Sequence, residues 1–177
     1  MKVLKRVLLV AVFLCMISSH VALANDWTWN SIAENANQSI LLEEGVTSSL
    51  DVVHKYGRGD YLAEGSVRIA NLQNGSLEIQ AMTLAHVYVD RIIQTVFLDV
   101  WDEDENDWVC LNYWDFEMVK EEVENEQLHM LVSTLTLPGY EVGRYYRARG
   151  LHGVEIYDEL EACATETNGV KLTDWRD

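Results

Sequence analysis

The chain has 177 residues, 49% of them hydrophobic and 10% aromatic, with 29 Asp and Glu against 13 Lys and Arg, a formal net charge of −16. That length suits one domain that buries a core without help from disulfides. Nucleic acid and anionic membrane surfaces are excluded as partners, because both reward clustered positive charge.

The first predicted element is a cleavable signal peptide over residues 1–24. Lys2, Lys5 and Arg6 precede an apolar stretch from Val7 to Ile17, and Ala22-Leu23-Ala24 supplies the small-x-small pattern that signal peptidases cut. The apolar run is shorter than a membrane span and Ser18, Ser19 and His20 interrupt it, so cleavage before Asn25 and release outside the cell are expected. Cleavage removes three cations and no acid, which takes the charge to about −19. No membrane association is expected after it.

Residues 25–60 show no sustained period and read as a flexible leader, with one helical turn around Ile32 to Leu42. Arg58-Gly59-Asp60 spells an integrin-ligand tripeptide, and three common residues in a Gly-rich turn carry no weight alone.

From Tyr61 to Leu172 short runs rich in Val, Ile, Leu, Thr, Tyr and Trp are broken by turn residues, the signature of a β-sandwich domain. Seven strands are predicted: Ser66 to Asn71, Ser76 to Leu84, Ile92 to Asp102, Asp107 to Phe116, Leu128 to Leu137, Val142 to His152 and Glu159 to Thr165. Asn74-Gly75 tolerates positive φ in a hairpin, and Asp102–Asp107 is too polar to bury. Glu117 to Gln127 reads as a solvated connection with a short helix, Pro138-Gly139 as a turn, and residues 173–177 as a tail.

The run Leu135-Thr136-Leu137-Pro138-Gly139-Tyr140, followed by Arg144-Tyr145-Tyr146-Arg147-Ala148-Arg149-Gly150-Leu151-His152-Gly153, resembles the E-to-F passage of fibronectin type III domains. The resemblance implies a corner tyrosine, either Tyr140 or at the position held by Arg144. A wider likeness rests on Tyr61-Leu62, Asn74-Gly75, Phe97-Leu98 with Trp101, Trp108-Val109, Tyr145-Tyr146-Arg147 with His152, and Thr167-Asn168-Gly169-Val170. Over Tyr61 to Leu172 the chain resembles a family of small secreted proteins of Gram-positive bacteria whose function is uncharacterised. The resemblance implies export and supplies no catalytic residue.

Chemistry-bearing patterns are sparse. Asp102, Asp104 and Asn106 begin like a calcium loop, but Asp107 stands where glycine is needed and Tyr113 where the closing glutamate belongs, so an exposed hairpin tip is expected. His54, His86, His129 and His152 lack ligand spacing, and no nucleophile elbow marks a Ser or Cys. No cofactor or metal is expected. Among the many acids, Asp158, Glu159 and Glu161 form the nearest approach to a hydrolytic carboxylate pair, and a solvated edge-strand face accounts for them.

The expected fold is therefore an all-β, seven-stranded antiparallel sandwich of fibronectin type III or immunoglobulin-like kind. The expected function is a secreted, monomeric, non-catalytic module that binds an extracellular protein or glycan; the alternative is a small secreted carboxylate-dependent hydrolase. The binding surface is placed on the sheet of the third, fourth, sixth and seventh predicted strands, where alternation sends Phe97, Asp99 and Trp101 outward beside Tyr145, Arg147 and Arg149. Trp108 and Trp114 join it, and Trp27 and Trp29 are also read as lying outside the core. Leu160, Ala162 and Ala164 are expected in the core, leaving Glu159 and Glu161 on the outer face, where Arg147 or Arg149 would bridge Asp99 to Glu161. With the fourth and seventh strands at opposite sheet edges, Cys110 and Cys163 are too far apart to pair.

Overall fold

The computed structural model describes residues 39–57 and 60–175, and within them two antiparallel sheets pack against each other. One runs in the order β1-β2-β3-β6, with β1 (Ser48–His54), β2 (Leu62–Asn71), β3 (Ser76–Ala85) and β6 (Met130–Pro138). The other runs β5-β4-β7-β8, with β4 (Arg91–Asp102), β5 (Asp107–Val119), β7 (Tyr145–Ile156) and β8 (Glu159–Glu166); the two-residue β9 (Val170–Lys171) also pairs with β7. The second sheet thus joins the four strands that were expected to share it.

Among the described residues nine strands are present where seven were expected, and the two additions have different causes. β1 lies inside the stretch read as a leader. Its inward residues are Ser49, Asp51 and Val53, so two of three are polar, and Leu50 on the opposite face is 61% exposed. That inverts the apolar alternation by which strands are recognised. The strand holds because Ser49 Oγ and Asp51 Oδ2 accept N–H bonds from Asn168 and Glu166, across from its sheet. β9 is too short for any pattern, yet its Val170 and the adjoining Leu172 are fully buried.

Residues 39–42 are extended, not helical, with Leu41 bridged to Gly169. Residues 173–175, read as a tail, are tied to the β2–β3 turn: Asn74 bridges Asp174 and the Trp175 N–H donates to the Gln73 carbonyl. The signal peptide, Trp27, Trp29, most of the expected helical turn and the Arg58-Gly59 pair lie outside the described residues. The acidic connection after β5 forms two short 3-10 turns, Lys120–Glu122 and Glu124–Glu126.

After β6 the chain turns at Gly139, whose φ of +85° suits a residue without a Cβ. The Tyr146 hydroxyl then donates to the Glu141 carbonyl at 3.0 Å, with Tyr140 packed edge-on against its ring. The corner bond is therefore made by Tyr146, and neither Tyr140 nor the Arg144 position supplies it. Tyr146 can do so because β7 begins at Tyr145, three residues later than expected, and its even-numbered residues face inward.

The core is divided. One apolar cluster contains Val67, Ile69, Leu77, Ile79, Val96 and Leu98; the other contains Leu62, Val89, Ile92, Leu128 and Val154. Between them runs a layer of buried polar side chains drawn from both sheets. His152, fully buried, bonds Thr83 Oγ1 through Nδ1 at 3.0 Å and Thr165 Oγ1 through Nε2 at 2.8 Å. Gln94 Nε2 donates to Thr83 Oγ1 and to the Leu131 carbonyl, while Ser133 Oγ donates to Gln94 Oε1. Buried polar groups are tolerated when they are satisfied in this way, and a closed network favours one register over its neighbours.

Two glycines make room for the imidazole. A Cβ on Gly65 would lie 2.7 Å from ring atoms of His152 and 2.6 Å from Cys163 Sγ, and one on Gly150 would lie 2.6 Å from His152 Nε2. Gly65→Ala is accordingly expected to cost at least about 1–3 kcal/mol, because every neighbour that would have to move is buried. Urea denaturation of the variant measures this; an unchanged midpoint would mean that the ring has space the packing denies it.

Candidate functional site

The sheet β5-β4-β7-β8 turns its outer face away from the core, and three of its strands deliver the charged and aromatic residues singled out above. Regular alternation in β4 keeps Val96 and Leu98 buried inside and sends Phe97, Asp99 and Trp101 outward, as expected. Register then sets Phe97 beside Arg149 and Tyr113, Asp99 beside Arg147 and Cys110, and Trp101 beside Trp108. A β-bulge at Leu111 skips one residue of β5 between the Leu98–Asn112 and Asp99–Cys110 pairs, which keeps Trp108 and Tyr113 on the same face.

The centre of this face is not open. Asp99 is 1% exposed and takes Arg149 through both carboxylate oxygens, at 2.6 and 2.9 Å, and Arg147 Nε at 2.8 Å. Arg147 reaches on to Glu166 at 2.6 Å. The ladder expected between Asp99 and Glu161 is thus built with Glu166 instead. Glu161 lies in the opposite phase, where its carboxylate accepts the backbone N–H groups of Tyr61 and Leu62 at 2.7 and 2.8 Å.

The cause is a reversal of β8. Cys163 and Thr165 point into the core, while Leu160, Ala162 and Ala164 are only half-buried on the outer side. Alternation of Leu and Ala against Glu read as the apolar phase, but Thr165 is needed inside to satisfy His152. Glu159 stays exposed, so Asp158, Glu159 and Glu161 do not converge.

Each cation also lies over a ring. The Arg147 guanidinium is 4.7 Å from the Trp108 ring centre, Arg149 is 4.7 Å from that of Phe97, and Lys171 Nζ is 5.9 Å from that of Tyr145. Trp101 and Trp108 meet edge-to-face at 5.3 Å, and Phe97 lies 6.1 Å from Tyr113. Phe97, Trp101, Trp108, Tyr145 and Arg147 are therefore brought together, as half-buried side chains in a stacked layer. Trp114 is not among them: it pairs with Val96 and packs on the core, because the bulge puts it in inward phase. Trp175 is 76% exposed at the end of the described chain.

The family model of DUF6147, described as a family of unknown function, matches residues 24–170. The chain belongs to this family. The matched span contains every strand of both sheets up to the start of β9, so the face just described is part of what DUF6147 comprises. No curated protein matches the chain.

Sequence reasoning placed the aromatic members of the face and missed Tyr113, which is 59% exposed on it. It also missed the polar layer inside. The available signal was the inward phase itself, since Ile92, Gln94, Val96 and Leu98 alternate with one polar residue in an apolar row. Among the described residues no three of His, Cys, Asp and Glu converge as metal ligands do. At the acidic tip, Asp102 Oδ1 accepts the N–H groups of Asp104 and Glu105.

The two thiols sit on strands at opposite edges of the sheet, Cys110 exposed and Cys163 buried, and both are free. Burial raises both above the usual thiol range, Cys163 to about 11; for Cys110 the nearby Asp99 adds to the effect. At pH 8 a thiol reagent is expected to label Cys110 in the native protein and Cys163 only on unfolding. Labelling of both on one native timescale would contradict the burial of β8.

Proposed function

We propose that this chain is an exported, non-catalytic recognition module of fibronectin type III kind, which binds an extracellular protein or glycan through the outer face of β5-β4-β7-β8. One observation carries the reading: aromatic rings on that face are fixed by cations, which themselves are fixed by the buried carboxylate of Asp99. A rigid, partly exposed aromatic surface rimmed by charge loses little conformational freedom on binding, and such surfaces recur at recognition sites. The fibronectin-like assignment is supported by the adjacency of β2, β3 and β6 in one sheet and of β5, β4, β7 and β8 in the other. The Tyr146 hydroxyl bonded back to the Glu141 carbonyl adds to it. Export is supported by the charge and cleavage pattern of the first 24 residues.

The test is a panel of immobilised cell-wall polysaccharides, mucin and purified extracellular proteins, probed with the chain from Asn25 onward. Trp101→Ser combined with Tyr145→Ser is expected to abolish binding to whichever member captures the wild type. Because both side chains are half-buried, a drop of several degrees in melting temperature is expected too, so circular dichroism must show the variant folded. Retained binding by the folded variant, or no capture by any member, overturns the reading.

A further inference from the structure

Strand β5 is 13 residues long and lies at the edge of its sheet, with no strand on its other side among the described residues. Long edges invite another chain, and proteins usually blunt them. The first half of β5 is blunted. It carries the bulge at Leu111, and the N–H groups of Trp108 and Tyr113 are taken by the side chains of Asp107 and Asn112 immediately before them. The second half has no such device. Lys120 N–H donates inward to the Asp90 carbonyl, and the register is regular from Asn112 to Val119. Alternation therefore turns the backbone N–H and C=O groups of Asp115, Glu117 and Val119 toward the free edge.

The same half adjoins a shallow depression of about 300 Å³ between β4 and β5, lined by Ile93, Thr95, Asp115, Phe116 and Glu117. Its walls are mainly apolar and its rim holds two carboxylates, Asp115, whose Oδ1 accepts from the Thr95 hydroxyl, and Glu117, whose exposed carboxylate an incoming cation would share with Arg91 at 3.2 Å. A long side chain with an aliphatic stem and a cationic head matches both features. Charge extends the match along the strand. From Asp102 to Glu126 there are eleven carboxylates and one cation, Lys120. A second copy of this chain is a poor occupant, since antiparallel self-pairing centred on Asp115 sets that carboxylate against its own copy, and two chains of net charge −16 repel.

We infer that the Asp115–Val119 half of β5 is a docking edge for an extended segment of a basic polypeptide, which adds as a strand with Lys or Arg at alternate positions. Backbone pairing supplies the affinity, and the depression with its acidic rim selects the cationic side chain. This edge lies beside the aromatic face, so either can fail without the other.

The experiment uses the chain from Asn25 onward and three capped octapeptides: alternating Lys and Thr, alternating Glu and Thr, and the Lys–Thr peptide N-methylated on alternate residues. The Lys–Thr peptide is expected to shift the amide resonances of residues 113–119. N-methylation keeps the charge but removes pairing, and is expected to weaken binding at least about tenfold, with no measurable binding of the Glu–Thr peptide. Asp115→Asn with Glu117→Gln is expected to weaken Lys–Thr binding by a similar factor. Equal binding of the methylated peptide would leave only diffuse charge attraction and overturn strand addition. Shifts confined to Trp101 and Tyr145, no binding of the Lys–Thr peptide, or concentration-dependent dimerisation that protects residues 113–119 would overturn it as well.

Discussion

Asp99→Ala is expected to destabilise the protein by about 3–5 kcal/mol, because it removes the carboxylate shared by two guanidinium groups that the fold has taken out of water. An exposed cross-strand ion pair is worth only about 0.2–1 kcal/mol, and the sequence pattern pointed to that kind of pair. The structure places the carboxylate at 1% exposure, with the side chains of Arg147 and Arg149 at 13% and 11%. Arg147 keeps Glu166, so the larger part of the penalty falls on Arg149, which would lose both of its bonds to Asp99 while its stacking on Phe97 remains. The double variant Asp99→Ala, Arg149→Ala should then lose less than the sum of the two single changes, by roughly 1–3 kcal/mol. Urea denaturation of the four proteins in the cycle gives both quantities. A single-variant loss below about 1 kcal/mol would mean that the pair behaves as an exposed one.

The second large effect is a loss of stability in acid that originates at His152. Burial alone pushes this imidazole from 6.5 down to about 3, so it is neutral in the folded protein over the range in which an unfolded chain protonates it. Between those two values the unfolded state binds the extra proton, and stability falls as pH falls. The contribution is fully present above about pH 6.5. It declines by about 3 kcal/mol at pH 4.5 and by about 4 kcal/mol near pH 3, at about 1.4 kcal/mol per pH unit. His152→Gln removes the titration while keeping a polar group in the layer. Although it is less stable than the wild type at pH 7, it should lose about 3 kcal/mol less between pH 7 and pH 4.5. Parallel losses in the two proteins would assign the acid sensitivity to carboxylates instead.

Several elements were legible because their inward and outward faces differ in polarity. β4 was placed to within a residue at its start by the row Ile92, Val96, Leu98, and the outward phase of Phe97, Asp99 and Trp101 followed from it. The separation of Cys110 from Cys163 followed from strand order alone. Where a strand buries polar groups, the same reasoning reversed it. In β8 the small apolar residues Ala162 and Ala164 pointed to the core, while Thr165 was needed there by His152. In β1 the inward Ser49 and Asp51 concealed a strand altogether.

What the sequence by itself determined is the all-β class, seven of the nine strands, the turns at Asn74-Gly75 and Pro138-Gly139, and the aromatic identity of the candidate face. Each is a local matter of alternation, β-propensity or permitted φ. Only the tertiary structure decided that Asp99 is buried, that Glu166 and not Glu161 completes its network, and that a polar layer divides the core. Those outcomes depend on which atoms of distant strands come within hydrogen-bonding distance. A buried donor or acceptor outweighs local hydrophobic preference when, as with Thr165 and His152, its partner would otherwise be left unsatisfied in the interior.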